Sequence, residues 1–428
     1  MLKNKRTYLI PILGFALIIL FGSILLFMPS VNKANLEYKD CLFIATSAFT
    51  TTGINKGALV NQFDFIGQLV IAILMEIGAM GFIIFVSYFW SMKHKKVKMS
   101  DIMVINDSIS GDDYSNIAKH SVFICKYMFR VQLAGIILLL PKFISLFGIS
   151  KGIWYSVFHI ISAFSNTGFD LFGANSLIGF VKEPYIQFIT IFVMILGSLG
   201  ILVIEDLKDK KFKFSKLKLQ TKIVVVWTIV LLVMPTILMK IYDSELSILN
   251  SLFMVSSARS TGMAIVGLES ISFQSKVLLA VLMLIGGGPT STSGGIRILP
   301  VAIILATVIS TLRGKNETII FWRKISDVVI RRSLTIIIVF LFVLTVGVIV
   351  FYEFNDVGIQ NIIFDCISAI SNTGFSVISI NDINNIGNIV LMMLMFIGRV
   401  GPLSILLAFV NDNPKDKYIA YPTENIVL

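Results

Sequence analysis

Apolar residues along the chain fall into runs of two lengths. The long ones, at 8–27, 65–90, 185–204, 223–239, 334–351 and 389–410, approach or exceed the roughly 20 residues that a helix needs to cross a bilayer. The short ones, at 40–49, 152–164, 246–258 and 360–370, repeat apolar positions with helical period but cannot cross. Long and short runs alternate in a fixed order: a long run, a polar connection, a short run ending in a polar turn, and a second long run. This order predicts re-entrant helices set between spanning ones.

The polar turns repeat as well. They read Ser47-Ala-Phe-Thr-Thr-Thr52-Gly53, Ser162-Ala-Phe-Ser-Asn-Thr167-Gly168, Ser256-Ser-Ala-Arg-Ser-Thr261-Gly262 and Ser368-Ala-Ile-Ser-Asn-Thr373-Gly374, at separations of about one hundred residues. One Thr-Gly pair is only a turn or a helix cap. Four copies, each with a Ser six positions before the Gly and each between paired spans, are a repeat. The units are assigned to residues 1–98, 118–212, 218–314 and 328–412, with a short tail at 413–428. Two spans per unit give all four the same orientation, so they can surround one axis along the membrane normal. The fold class is therefore all-α integral membrane, with eight transmembrane helices and four pore helices in pseudo-fourfold order.

Composition agrees. Of 428 residues, 56% are hydrophobic and 14% charged, and the mean hydropathy is +0.87, too apolar for a soluble surface. The net charge of +11 is concentrated in alternate connections, around Lys93–Lys98, Lys208–Lys218 and Arg313–Arg332. Under the positive-inside rule these are cytoplasmic, as are both termini, since Lys3, Lys5 and Arg6 lie ahead of the first run. Basicity thus reports topology and not a nucleic-acid partner. Cys41, Cys125 and Cys366, with His94, His120 and His159, have no metal-ligand or redox spacing.

A cation sheds its water in a narrow pore only if other oxygens replace the hydration shell. Backbone carbonyls at Thr52, Gly53, Thr167, Gly168, Thr261, Gly262, Thr373 and Gly374 are placed to do this, because glycine allows the dihedral angles that turn carbonyls inward. The short helices ending there direct their negative dipole ends inward. In the third unit the second apolar run is interrupted by Gly286, Gly287, Gly288, Pro289, Thr290, Ser291, Thr292, Ser293, Gly294 and Gly295. That density of Gly and Pro breaks a helix, and irregular backbone inside a membrane must line a cavity or be buried in protein. Arg399, deep in the last run, needs a pathway or a partner; Glu76 and Asp365 are candidate ion-pair partners, and Arg259 a candidate anchor through carbonyl contacts.

With the four turns, the glycine-rich break and Gly398-Arg399-Val400-Gly401-Pro402, the chain resembles the Trk/Ktr/HKT superfamily of cation transporters along nearly its whole length, and most of all the Ktr-type (KtrB-like) membrane subunits. The resemblance implies potassium uptake through a selectivity filter, with Gly53 favouring potassium over sodium. It further implies a gating loop at Gly286 to Gly295, a gate-associated charge at Arg399, a homodimer in the cell membrane, and a cytoplasmic ring of nucleotide-binding regulatory (KtrA-like) subunits. No covalent cofactor is expected; potassium is the transported ion, and sodium coupling or activation stays open, since channel and symporter need the same dehydrating ring. A membrane-embedded enzyme would need a nucleophile with its base, or clustered acids, and none stands at helical spacing here. A carrier of a small organic substrate would show paired bundles with two broken helices.

Overall fold

The computed structural model describes residues 6–81, 117–173, 176–379 and 383–401. The predicted basic stretch Lys93–Lys98, the amino-terminal Lys3 and Lys5, Pro402 and the tail lie outside them.

The first unit contains α1 (Arg6–Phe27), α2 (Tyr38–Phe49), α3 (Leu59–Gln62) and α4 (Phe65–Met80). The second contains α5 (Ile117–Phe147), α6 (Ile149–Ser165), α7 (Pro184–Ser198) and α8 (Ile201–Asp209). The third contains α9 (Leu219–Tyr242), α10 (Ile248–Ala258), α11 (Phe273–Ile285) and α12 (Ile298–Leu312), and the fourth α13 (Asp327–Phe354), α14 (Ile359–Ile370) and α15 (Asn385–Val400). Between α12 and α13 a small antiparallel hairpin pairs β1 (Ile319–Ile320) with β2 (Arg323–Lys324).

Sequence signals at the helix starts are local. Ser247, Ser272 and Asn384 cap α10, α11 and α15 by accepting the backbone N–H three residues on, and Pro184 opens α7, where its missing N–H costs nothing. The short helices end by a shared device. Thr50 and Ser371 turn their hydroxyls back to the carbonyls of Thr46 (2.7 Å) and Ile367 (2.6 Å), and the following Thr51 and Asn372, like Asn166, take left-handed backbone, which ends a helix.

Burial runs opposite to that of a soluble protein. The short helices α2, α6, α10 and α14 are buried along most of their length, whereas the long outer helices expose large apolar side chains such as Leu17, Phe129, Met234 and Phe342. An apolar exterior of that extent requires lipid. The outgoing helices close the structure: α4 packs on α6, α7 on α10, α11 on α14, and α15 returns to α2. Each thus covers the short helix of the next unit, and the fourth meets the first.

Three described helices are long and apolar enough to cross a membrane uninterrupted, at Val122–Phe147, Leu219–Tyr242 and Asp327–Phe354. A glycine with positive φ follows the described part of each outgoing helix: Gly81 (75°), Gly200 (92°), Gly286 (65°) and Gly401 (93°). The run predicted at 185–204 is bent by 93° between α7 and α8, and the helical parts of 65–90 and 389–410 that are described end at Met80 and Val400. A break expected only in the third unit therefore occurs in the second as well. Compared with the break between α7 and α8, the third unit has the longer coil, from Gly286 to Arg297, before helix resumes.

Candidate functional site

The four Thr-Gly turns meet at the centre. All four glycines have positive φ, at 89°, 89°, 70° and 101° in chain order, where an L side chain is strained. They are also crowded in a cyclic sequence. A Cβ on Gly53 would lie 1.7 Å from the Thr167 carbonyl oxygen, one on Gly168 2.0 Å from that of Thr261, one on Gly262 2.2 Å from that of Thr373, and one on Gly374 2.0 Å from that of Thr52. Each glycine thus faces the carbonyl of the threonine in the next unit, and the fourth faces the first. The threonines themselves are fully buried, so their carbonyls are fixed from behind.

The fixing bonds alternate. Thr52, Thr167 and Thr373 each share a hydroxyl contact with the Ser or Thr two residues earlier, at 2.8, 2.7 and 3.0 Å. Asn166 accepts from the Thr261 hydroxyl at 2.6 Å, tying the second turn to the third. Asn372 donates to the Thr52 hydroxyl at 3.1 Å, tying the fourth to the first, and also to the Met395 carbonyl at 2.8 Å.

In the third unit Arg259 replaces the Ser or Thr and is buried, but its Nε and Nη2 meet no hydrogen-bond partner among the described residues. The carbonyl anchor expected of Arg259 is thus not made by these two nitrogens.

Beneath the turns lies the glycine-rich segment, and Thr292 is its junction. Its carbonyl accepts from Arg399 Nη1 (2.6 Å) and Thr51 Oγ1 (3.4 Å). Its hydroxyl accepts from Asn166 Nδ2 (2.6 Å) and donates to the Phe164 carbonyl (3.1 Å), and its N–H donates to the Gly197 carbonyl (3.3 Å). The Gly288 N–H donates to the Ser198 carbonyl (2.8 Å) and the Gly294 N–H to Ser260 Oγ (3.0 Å). The segment is therefore tied to units one, two and four as well as to its own. Arg399 also donates through Nη2 to the Gly78 carbonyl, bridging the loop to the first unit's break. The suggested acid partners lie elsewhere: Glu76 accepts from Gln132 (2.5 Å), and Asp365 from Ser376 and the Val377 N–H. A carbonyl of the loop, on Thr292, and one at a helix end, on Gly78, satisfy Arg399 instead.

Three further glycines matter, of which Gly78 and Gly197 were not distinguished in the sequence. A Cβ on Gly78, Gly197 or Gly398 would lie 1.9, 2.2 and 2.0 Å from the carbonyls of Phe49, Phe164 and Ile370, so each lets an outgoing helix touch the end of its own unit's short helix. The signal for them is the spacing Gly78-x-x-Gly81, Gly197-x-x-Gly200 and Gly398-x-x-Gly401. The roles of Asn166 and Asn372 left no comparable trace, since the bonds to the Thr261 and Thr52 hydroxyls cross between units.

Residues 15–421 match the family model described as TrkH, cation transport protein. Among curated proteins, the chain is similar to the potassium/sodium uptake protein NtpJ of Enterococcus hirae, 30% identical over 100% of this chain and 99% of that one. It is also similar to the Ktr system potassium uptake protein B of Bacillus subtilis, 29% identical over 96% and 94%, and to that of Vibrio alginolyticus, 28% identical over 98% and 94%. The crystal structure of the potassium transporter TrkH from Vibrio parahaemolyticus shares the fold, with a TM-score of 0.79 at 16% identity over 96% of this chain and 86% of that one.

Gly197→Ala is expected to destabilise the protein by about 1–3 kcal/mol, the usual cost of overpacking, because its methyl meets a backbone carbonyl. Gly179→Ala, where nothing lies within 4 Å, should leave stability nearly unchanged. Thermal unfolding of the two purified variants in one detergent checks the contrast.

Proposed function

Because the chain belongs to the TrkH family of cation transport proteins, we propose that it carries potassium into the cell through the ring of carbonyls at its four Thr-Gly turns. It is a membrane transporter and not an enzyme. The observation that carries the reading is the cyclic approach of each glycine to the next unit's threonine carbonyl. A ring of neutral oxygens replaces a cation's water without the deep trap of a full charge. The names of the relatives, which include potassium uptake and potassium/sodium uptake proteins, support the choice of ion.

In this reading four span, pore-helix, span units, eight crossings in all, surround one pore. Thr52, Gly53, Thr167, Gly168, Thr261, Gly262, Thr373 and Gly374 form the filter. The segment Gly286 to Gly295 is the gate, held closed beneath the filter through Thr292, and Arg399 latches it while placing a positive charge below the cation route. Both termini face the cytoplasm. The chain works as a homodimer on a ring of nucleotide-binding regulatory subunits; the relatives' designation as parts of a Ktr system supports additional components.

Rubidium uptake into liposomes holding the purified protein tests the proposal. Potassium in excess should abolish uptake, and failure of potassium to compete would overturn it. Dependence on an imposed sodium gradient would establish symport, and independence a channel. Gly53→Ser should lower the preference for potassium over sodium by roughly tenfold: forcing a side chain into this backbone costs about 1–3 kcal/mol, and 1.4 kcal/mol is a factor of ten. Competition by sodium in the same flux assay measures it.

Thr292→Val removes two hydrogen bonds of about 1 kcal/mol each from the closed loop. It should raise flux several-fold without changing ion preference, and a changed preference with unchanged flux would reassign the loop to the filter.

A further inference from the structure

Two turns on the basic face of the molecule share one construction. In the connection between α8 and α9, Lys211 and Phe212 take positive φ (49° and 58°), and Phe212 stands 75% exposed. In the hairpin between α12 and α13, Phe321 and Trp322 do the same (47° and 62°), and Trp322 is 99% exposed. The turns are joined: the rings of Phe214 and Phe321 meet edge to face with centroids 6.0 Å apart, and Lys222 lies over the Phe214 ring at 5.6 Å. Cations surround both. Residues 313–324 hold Arg313, Lys315, Arg323 and Lys324 against one acid, Glu317, which pairs with Lys324 at 2.5 Å.

The depth of the hairpin decides what it meets. It does not project from the end of α12 but folds back on it: β1 packs against α12, and the Thr318 hydroxyl donates to that of Thr307 at 3.1 Å. Thr307 lies five residues before the helix end at Leu312, about 7.5 Å along the axis at 1.5 Å per residue. Beyond Thr307 the outer face of α12 is still apolar and exposed, at Val308, Ile309 and Leu312, so this stretch of helix lies against lipid. The root of the hairpin therefore lies beside lipid-facing helix, and its aromatic tip and cations are at headgroup level. Aromatic rings prefer that layer, and clustered cations there attract anionic lipid.

We infer that the Phe212 and Phe321–Trp322 turns, with Arg313, Lys315 and Arg323, form a binding site for the headgroup of an anionic phospholipid. The site is remote from the four Thr-Gly turns, and the inference does not rest on the potassium reading.

The test uses tryptophan fluorescence of the full-length protein in phosphatidylcholine vesicles containing phosphatidylglycerol, with one or the other lipid brominated near the glycerol end of its chains. Subtracting the signal of Trp322→Phe isolates Trp322. Brominated phosphatidylglycerol is expected to quench Trp322 more than brominated phosphatidylcholine does. Replacing Arg313, Lys315 and Arg323 by Ser should weaken that preference by about fivefold per cation removed.

Equal quenching by the two lipids would overturn anion recognition and leave only an aromatic anchor. Quenching by aqueous iodide and by neither lipid would overturn the site altogether and give the surface to a soluble protein partner. Protection from both would likewise overturn it, in favour of cover by a second copy of the chain. The readout needs no transport, so a protein that fails in rubidium flux still answers the question.

Discussion

Each of the four central threonine carbonyls lies against a glycine of another unit, and the rest of the structure is organised around that close backbone contact. Such a contact persists only if the chain behind each carbonyl is rigid. Buried threonines, left-handed residues at the helix ends and short helices enclosed by longer ones all supply that rigidity. The absence of a side chain at Gly53, Gly168, Gly262 and Gly374 is the other half of the arrangement, since any Cβ would occupy the space in front of the next carbonyl. The outer helices, whose apolar faces are open to lipid, contribute mainly by enclosing this centre.

The glycine-rich loop uses the same economy of small residues for a different purpose. Two of its backbone N–H groups find carbonyls at the end of α7, Gly288 with Ser198 and Thr292 with Gly197. Those carbonyls are available because the helix stops there; a helix running on would have used them internally. The break at Gly200 is therefore what makes a docking rim for the loop, and Arg399 uses the Gly78 carbonyl near Gly81 in a similar way.

Much of this was legible in the sequence because it repeats. The Ser to Thr-Gly spacing located the central turns, and the run of Gly, Pro, Ser and Thr located the loop, since both signals are local in the chain. The run at 185–204 reads as one uninterrupted span for a physical reason: hydropathy counts apolar residues, and a single glycine such as Gly200, flanked by Leu199 and Ile201, hardly lowers the average while the helix axis bends there by 93°. The contacts that Arg399, Thr292 and the two asparagines make across units join residues more than ninety positions apart, and a single sequence has no record of such pairs. Charge also misled in one respect, because a buried arginine suggests an acid partner, and Arg399 found carbonyls.

The ring is made of one polypeptide, so its four quadrants can differ. Arg259 stands where the other units have Ser or Thr, and the loop occurs once. In an assembly of four identical chains, each such feature would appear four times. Four guanidinium groups would then crowd one centre, and four loops would compete for the space that one occupies. Fusion of the units into a single gene thus changes the stoichiometry available to evolution: an asymmetric part can be added in a single copy while the shared symmetry of the oxygens is kept.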